Sequence, residues 1–212
     1  MSGLRVLALD VSGPGGGAAL LTPGGCTVAT IPPAVARGRD LVPLLAGLLT
    51  NAGLAAEDLD VVACGVGPGS FTGIRIAVAT AATFAYAAGL PVLDVCSLDG
   101  LAANAPEDAK DVCVILDARR GDLFVRRERV FLAPAEEVAA QLAPDTYVLG
   151  EGRTKYPELF EGFPGTAEAP VRPDAIARIA AARFAAGERK DPGELRPLYL
   201  RLSDPEIRRG MS

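Results

Sequence analysis

Few residues in this 212-residue chain could do chemistry, and their types set narrow limits. Two aspartates, Asp10 and Asp117, each end an apolar run, "VLALD" and "VILD", and each precedes a short glycine-bearing turn. Carboxylates so placed could hold a hard cation such as Mg2+ and, through it, nucleotide phosphates. Between them lies "GVGPGSFTGIR", Gly65 to Arg75. Its Gly65, Gly67 and Gly69 permit positive φ and close backbone approach, and Ser70 can cap a following helix. Such a turn can offer bare N–H groups to an anion, or it can simply join a strand to a helix. It is not a P-loop, because no lysine follows, and its GxGxG spacing misses GxGxxG by one residue. Asp10, Gly67, Gly69, Ser70 and Asp117 are the candidate ligand contacts, and no cofactor is expected.

The chain has no histidine. A Ser-His-Asp triad, a Cys-His pair and zinc sites built on HExxH or Cys2His2 are therefore excluded, and a proton shuttle would need a tuned carboxylate or lysine. No clustered carboxylates suggest a catalytic metal. Cys26, Cys64, Cys96 and Cys113 form no CxxC pair, and most sit in apolar runs, as buried reduced thiols do. The net charge of −5 argues against a free-standing nucleic-acid binder. Acids flank the basic pairs Arg119-Arg120 and Arg126-Arg127, which fit a solvated face. The N-terminal "MSGLRVLALD" lacks a signal-peptide layout. The apolar stretch from Ile74 to Leu90 begins beside Arg75 and is rich in Ala and Gly, so it is not read as a membrane span. A cytoplasmic protein is expected.

The elements that must position these residues follow from periodicity. "LRVLALDV", "GAALLT" and "CTVATI", separated by tight turns, predict an antiparallel three-strand meander. Leu41, Leu44, Leu45, Leu48 and Leu49 recur at helical spacing, which predicts a helix over Arg39 to Asn51. "DVVACGVG" predicts a central strand, Phe71 to Ala88 a helix stopped by Gly89, and "PVLDVCS" a parallel strand after it. A short helix from Ser97 to Ala103 precedes a polar boundary near Lys110. "DVCVILDARRGDLFVRR" then repeats the opening pattern of strand, Asp, glycine turn and strand, which suggests an internal duplication. After it come a helix in "PAEEVAAQL", a strand in "TYVLGEG" and a helix in "DAIARIAAARFAAG". The two long helices show little polarity on any face, so they are either wholly internal or partly covered by another chain.

Taken together, "LALD" with its glycine hairpin, "GVGPGSFTGIRIAVATA", "ILDARRGDLFV", "GEGRTKY" and "RPLYLR" resemble the TsaB (YeaZ) family over nearly the whole chain. The resemblance implies an α/β fold of two duplicated RNase H-like sub-domains of the actin-like ATPase superfamily. These would be residues 1–109 and a reduced 110–212, whose extreme C-terminus could pack back on the first. It implies a non-catalytic subunit of the bacterial machinery that makes N6-threonylcarbamoyladenosine in tRNA. Such a subunit binds the catalytic relative TsaD, with TsaE at their junction, forms a homodimer when isolated, and meets tRNA only through the complex. Interface candidates on the two helices are Leu41, Leu45, Leu48, Arg75, Ile76, Ala79 and Thr83. Many members carry a His before the first long helix, where this chain reads "VARGRDLVP". The rival reading is a phosphotransferase or ATPase of the same fold, with Asp10 and Asp117 on Mg2+; a protease, the older reading of the family, lacks every usual constellation here except bare carboxylates.

Overall fold

The computed structural model describes residues 3–33 and 37–201, with the backbone alone for 37–39. The family His position noted above falls at the edge of, or outside, this described set. The first sheet takes β1 (Val6–Asp10), β2 (Gly16–Thr22), β3 (Gly25–Ile31), β4 (Val61–Gly65) and β5 (Val92–Val95), in the order β3-β2-β1-β4-β5. The meander β1-β2-β3 is antiparallel, and β4 and β5 add in parallel to β1. The parallel additions need crossovers. Helix α1 (Arg37–Ala52) makes one and α2 (Phe71–Ala88) the other, each within a residue or two of its predicted span.

The second half repeats this topology. Strands β6 (Val112–Asp117), β7 (Asp122–Arg126) and β8 (Val130–Pro134) form the antiparallel meander, and β9 (Tyr147–Leu149) and β10 (Gly165–Thr166) add in parallel. The order is β10-β9-β6-β7-β8, the same as the first sheet counted from the other edge. Its crossovers are reduced to short helices: α4 (Ala135–Ala140), then α5 (Gly152–Lys155) and α6 (Pro157–Phe160). Neither β10 nor the α5–α6 pair is distinct in the sequence, since runs of two to four residues carry no periodicity.

Both faces of the first sheet are covered, and the alternation along β1 shows it. Leu7 and Leu9 pack with α1 and α2, while Val6 and Ala8 pack on the opposite side. That opposite side is covered by α7 (Pro173–Ala185), through Ile176, Ala177, Ala180 and Phe184. The strands of the two sheets lie on either side of Lys110, but helix α7, from the second half of the chain, packs on the first sheet. Conversely, α3 (Ser97–Ala102) follows the first sheet, and its Leu98 and Leu101 pack with Val114 and Leu149 of the second. The two helices cross where a side chain at Gly100 would meet Ile176 Cδ1 at 2.8 Å, so a larger residue there would push the Ile176 side chain aside. Arg172 fastens the crossing, donating to the Ala103 carbonyl at 2.7 Å while forking onto Asp174. Burial of Ile176 and Phe184 alone contributes about 3–6 kcal/mol by area, lost if α7 leaves the first sheet.

Helix α2 is, among the described residues, the one helix long and apolar enough by composition to cross a membrane. In this fold its inner side, Gly73, Ile74, Ala77, Ala81 and Ala85, is buried on the sheet. The outer surface of α1 leaves open space at Gly47, where an added Cβ meets nothing within 4 Å. Gly47→Ala should therefore raise the unfolding free energy by about 0.5–1 kcal/mol in urea titrations, the usual gain of Ala over Gly in a helix interior. A loss of stability would show that the position is not open.

Candidate functional site

Two places collect the residues singled out by the sequence: a cleft between the sheets and the outer surface of α1 and α2. The cleft has a volume of about 630 Å3, and its polar rim includes Ser12, Ser70, Asp117, Arg119 and Glu151. The loop after β1 and the turn after β6 thus face the same space, as the duplication implies. The two aspartates do not share it. Asp117 lines the cleft, but Asp10 is 1% exposed and contributes nothing to its walls.

The reason lies in the glycine-rich turn. A Cβ at Gly65 would fall 2.3 Å from Asp10 Oδ2, so the carboxylate occupies the space that this glycine leaves. On its other side Asp10 Oδ1 accepts the Ser12 amide at 2.8 Å. Asp117 repeats this local motif, its Oδ1 accepting the Arg119 amide at 2.8 Å, but among the described residues no equivalent turn covers it. Burial pushes the Asp10 pKa up, and hydrogen bonding from Ser12 and Ser97 pulls part of that shift back. Glu151 is raised too, by burial first and by the nearby Asp117 charge second. A metal held jointly by Asp10 and Asp117, as the rival reading requires, would need both carboxylates in the cleft.

The turn itself is tied into the protein. The Gly67 amide donates to Ser97 Oγ at 3.0 Å and its carbonyl accepts from the Ser97 amide at 2.9 Å. The Ser70 amide donates to the Ser12 carbonyl at 2.7 Å, and Ser70 Oγ caps α2 by accepting from the Gly73 amide at 3.3 Å. Gly67 and Gly69 hold φ of 97° and 153°, the region open to glycine. These bonds make the turn a joint that aims α2. Among the described residues no group of three or more His, Cys, Asp or Glu side chains could hold a metal. All four thiols are free, and burial pushes Cys96 up to about 11 and Cys113 up to about 12, so neither is a thiolate nucleophile near neutrality.

The outer helical surface corrects part of the expected interface. Leu41, Leu45 and Leu48 are in the core, because the helical spacing that made them conspicuous is the inner stripe of α1. The outward stripe of α1 is Val42, Pro43, Ala46 and Thr50, one position off the leucines. On α2 the candidates Arg75, Ala79 and Thr83 are exposed at four-residue spacing, whereas Ile76 is half-buried against the core. Of the five large apolar side chains exposed among the described residues, Val42, Phe71 and Tyr86 lie on these helices and Tyr199 stacks on Phe71.

The family model that matches this chain is TsaD, tRNA N6-adenosine threonylcarbamoyltransferase, over residues 31–152, from the end of β3 to the start of α5. A Bacillus subtilis protein named tRNA threonylcarbamoyladenosine biosynthesis protein TsaB is 31% identical over 188 residues, covering 79% of this chain and 80% of that protein. The chain belongs to the TsaB (YeaZ) family. An uncharacterized Mycobacterium tuberculosis protein is 35% identical over 172 residues, 80% of this chain and 77% of its own length. The crystal structure of a Pseudomonas aeruginosa protein with similarity to peptidase YeaZ superposes with a TM-score of 0.84 at 29% identity, covering 93% of this chain and all of that one. The TsaB-family fold here is thus of the actin-like ATPase type, with two sheets of one topology.

Because the Asp10 pKa is raised on folding, the folded chain holds this proton more tightly than the unfolded one. The stability so gained is full below the unfolded pKa and is lost as pH rises through the folded pKa. Asp10→Asn keeps an acceptor for the Ser12 amide and cannot ionise. It should flatten the fall in thermal midpoint over the range from about pH 4 upward. A variant that follows the parent chain across that range would show that Asp10 ionises in the fold as freely as in water.

Proposed function

We propose that this chain is a non-catalytic scaffold and activating subunit in the biosynthesis of tRNA N6-threonylcarbamoyladenosine, and that it docks on a TsaD-type catalytic chain. The observation that carries the reading is the outer surface of α1 and α2. The stripe Val42, Ala46 and Thr50 runs on α1, and Arg75, Ala79 and Thr83 on α2, each at four-residue spacing. Tyr86 is 81% exposed and Val42 58%, on a surface that also carries Phe71, Arg75 and the small residues Ala46, Thr50, Ala79 and Thr83. Small side chains let helices approach closely, and exposed aromatic and apolar groups on a monomer mark a contact surface. An interface of ordinary size there would bury about 1,200–2,000 Å2 in total.

The pathway is supported by the names of the relatives, and TsaD as the partner by the matching family model. A non-catalytic role is supported by the sealing of Asp10 away from the cleft and by the lack of histidine. In this reading TsaE joins at the junction of the two chains, tRNA is met through the complex, and a second copy covers the same surface when the chain is isolated.

Ala79 sits mid-stripe on α2 and is exposed, so a charge there leaves the core untouched. Ala79→Glu is expected to abolish co-purification with the TsaD-type chain of the same genome while circular dichroism still reports a cooperative melt near the parent midpoint. A folded variant that binds at full strength would defeat the interface.

A further inference from the structure

At the N-terminal end of the outer α2 stripe stands one charged side chain, Arg75. Helix α2 has no other charged residue, and α1 from Leu41 to Ala52 has none. The Arg75 guanidinium lies 3.8 Å from the Phe71 ring centroid, and its Nε donates to Tyr199 Oη at 2.9 Å. Tyr199 in turn stacks on Phe71, with ring centroids 5.1 Å apart. Ring and hydroxyl together fix the plane of the guanidinium, and Nη1 and Nη2 have no partner among the described residues.

Tyr199 is itself held. The segment from Leu195 to Arg201 runs across the mouth of the cleft, with Leu195 buried and the Leu198 amide donating to the Val66 carbonyl at 2.8 Å. At its far end Arg201 donates to the carbonyls of Ala118 and Arg119 and pairs with Asp122, on the second sheet. The strap therefore positions Tyr199, and Tyr199 positions Arg75.

We infer that Arg75 is a preorganised receptor for a carboxylate of the partner chain, and that it biases the outer helical face toward a heterologous partner over a second copy. This rests on the docking reading given above. An arginine fork whose plane is already fixed loses little freedom when it grips a carboxylate through two parallel N–H bonds. An aromatic-backed arginine also has the composition of an interface anchor. A second copy laid on the same face offers Arg75 an uncharged stripe. The one acid of α1 and α2 is Asp40, half-buried in the first turn of α1. The matching occupant is an aspartate or glutamate on the TsaD-type chain, placed opposite the start of α2.

The test measures binding of the full chain to the TsaD-type chain of the same genome by calorimetry at low and high salt, with self-association followed by sedimentation. Arg75→Gln should weaken the heterologous complex about 10- to 100-fold and flatten its salt dependence, with an unchanged thermal midpoint. Arg75→Lys keeps the charge without the fork and should fall between. Tyr199→Phe keeps the ring, removes the hydroxyl, and should weaken binding several-fold in the same salt-dependent way. Self-association should be unchanged or stronger in Arg75→Gln. If Arg75→Gln binds within twofold of the parent while Ala79→Glu abolishes binding, the docking face stands and the receptor is overturned. If Arg75→Gln weakens self-association as much as heterologous binding, the bias toward a heterologous partner is overturned. If the parent chain does not bind at all, or neither variant weakens binding, the docking reading falls and this inference with it.

Discussion

The structure depends on an exchange of helices between its two halves. Each half builds a five-stranded mixed sheet and leaves a face of it bare. The helix that follows the first sheet, α3, covers the second, and the helix that follows the second, α7, covers the first. Neither half could bury its own sheet on both sides, and a parallel strand pair exposed on one face is unstable in water. The constraint converges on one contact, Gly100 against Ile176, with Arg172 bridging to Ala103 beside it. That crossing and the Leu195–Arg201 strap join the two duplicated units, and the cleft is the space left on the side where the β1 and β6 turns face each other.

The same geometry explains why the duplicated aspartates differ. Each ends the first strand of its sheet and each accepts the amide two residues on. In the first copy the Gly65–Ser70 turn folds over the aspartate and is fastened to Ser12 and Ser97. The second copy has Gly150-Glu151-Gly152 at the corresponding place, which begins α5 and leaves Asp117 open to the cleft. A carboxylate sealed at 1% exposure works as a structural acceptor, because desolvation disfavours its charge and no ligand can reach it. The polar groups that remain in the cleft come largely from the second copy and from the strap that crosses it.

On the opposite surface, the rigidity of the joint becomes useful. Ser70 sets where α2 starts, Gly89 at φ 67° sets where it ends, and the packing of Ala77, Ala81 and Ala85 fixes its rotation. Rotation decides that Arg75, Ala79 and Thr83 point outward. The strap that closes the cleft mouth also stacks Tyr199 on Phe71, so the cleft and the outer face share one segment of backbone.

By itself the sequence determined the elements and the duplication. Local periodicity gave the spans of α1 and α2, the first meander, the opening hairpin of the second and the cap at Ser70, because each depends on neighbours within a few residues; the third strand of the second sheet, β8, emerged only in the structure. The absence of histidine settled which reactions were out of reach without any coordinates. The tertiary structure decided what depended on distance. Leu41, Leu45 and Leu48 were conspicuous as an apolar stripe, but a stripe is equally a core seam or an interface until the sheet beneath it is placed. The destination of α7 depended on packing, since its composition suits either sheet. Asp10 and Asp117 look alike in sequence, and only the approach of Gly65, 55 positions further along the chain from Asp10, buried one and left the other at the cleft. The Phe71–Arg75–Tyr199 cluster was split in the same way. Its first two members are four residues apart on one helix, but the third arrives from 124 residues away, a pairing that no local pattern encodes.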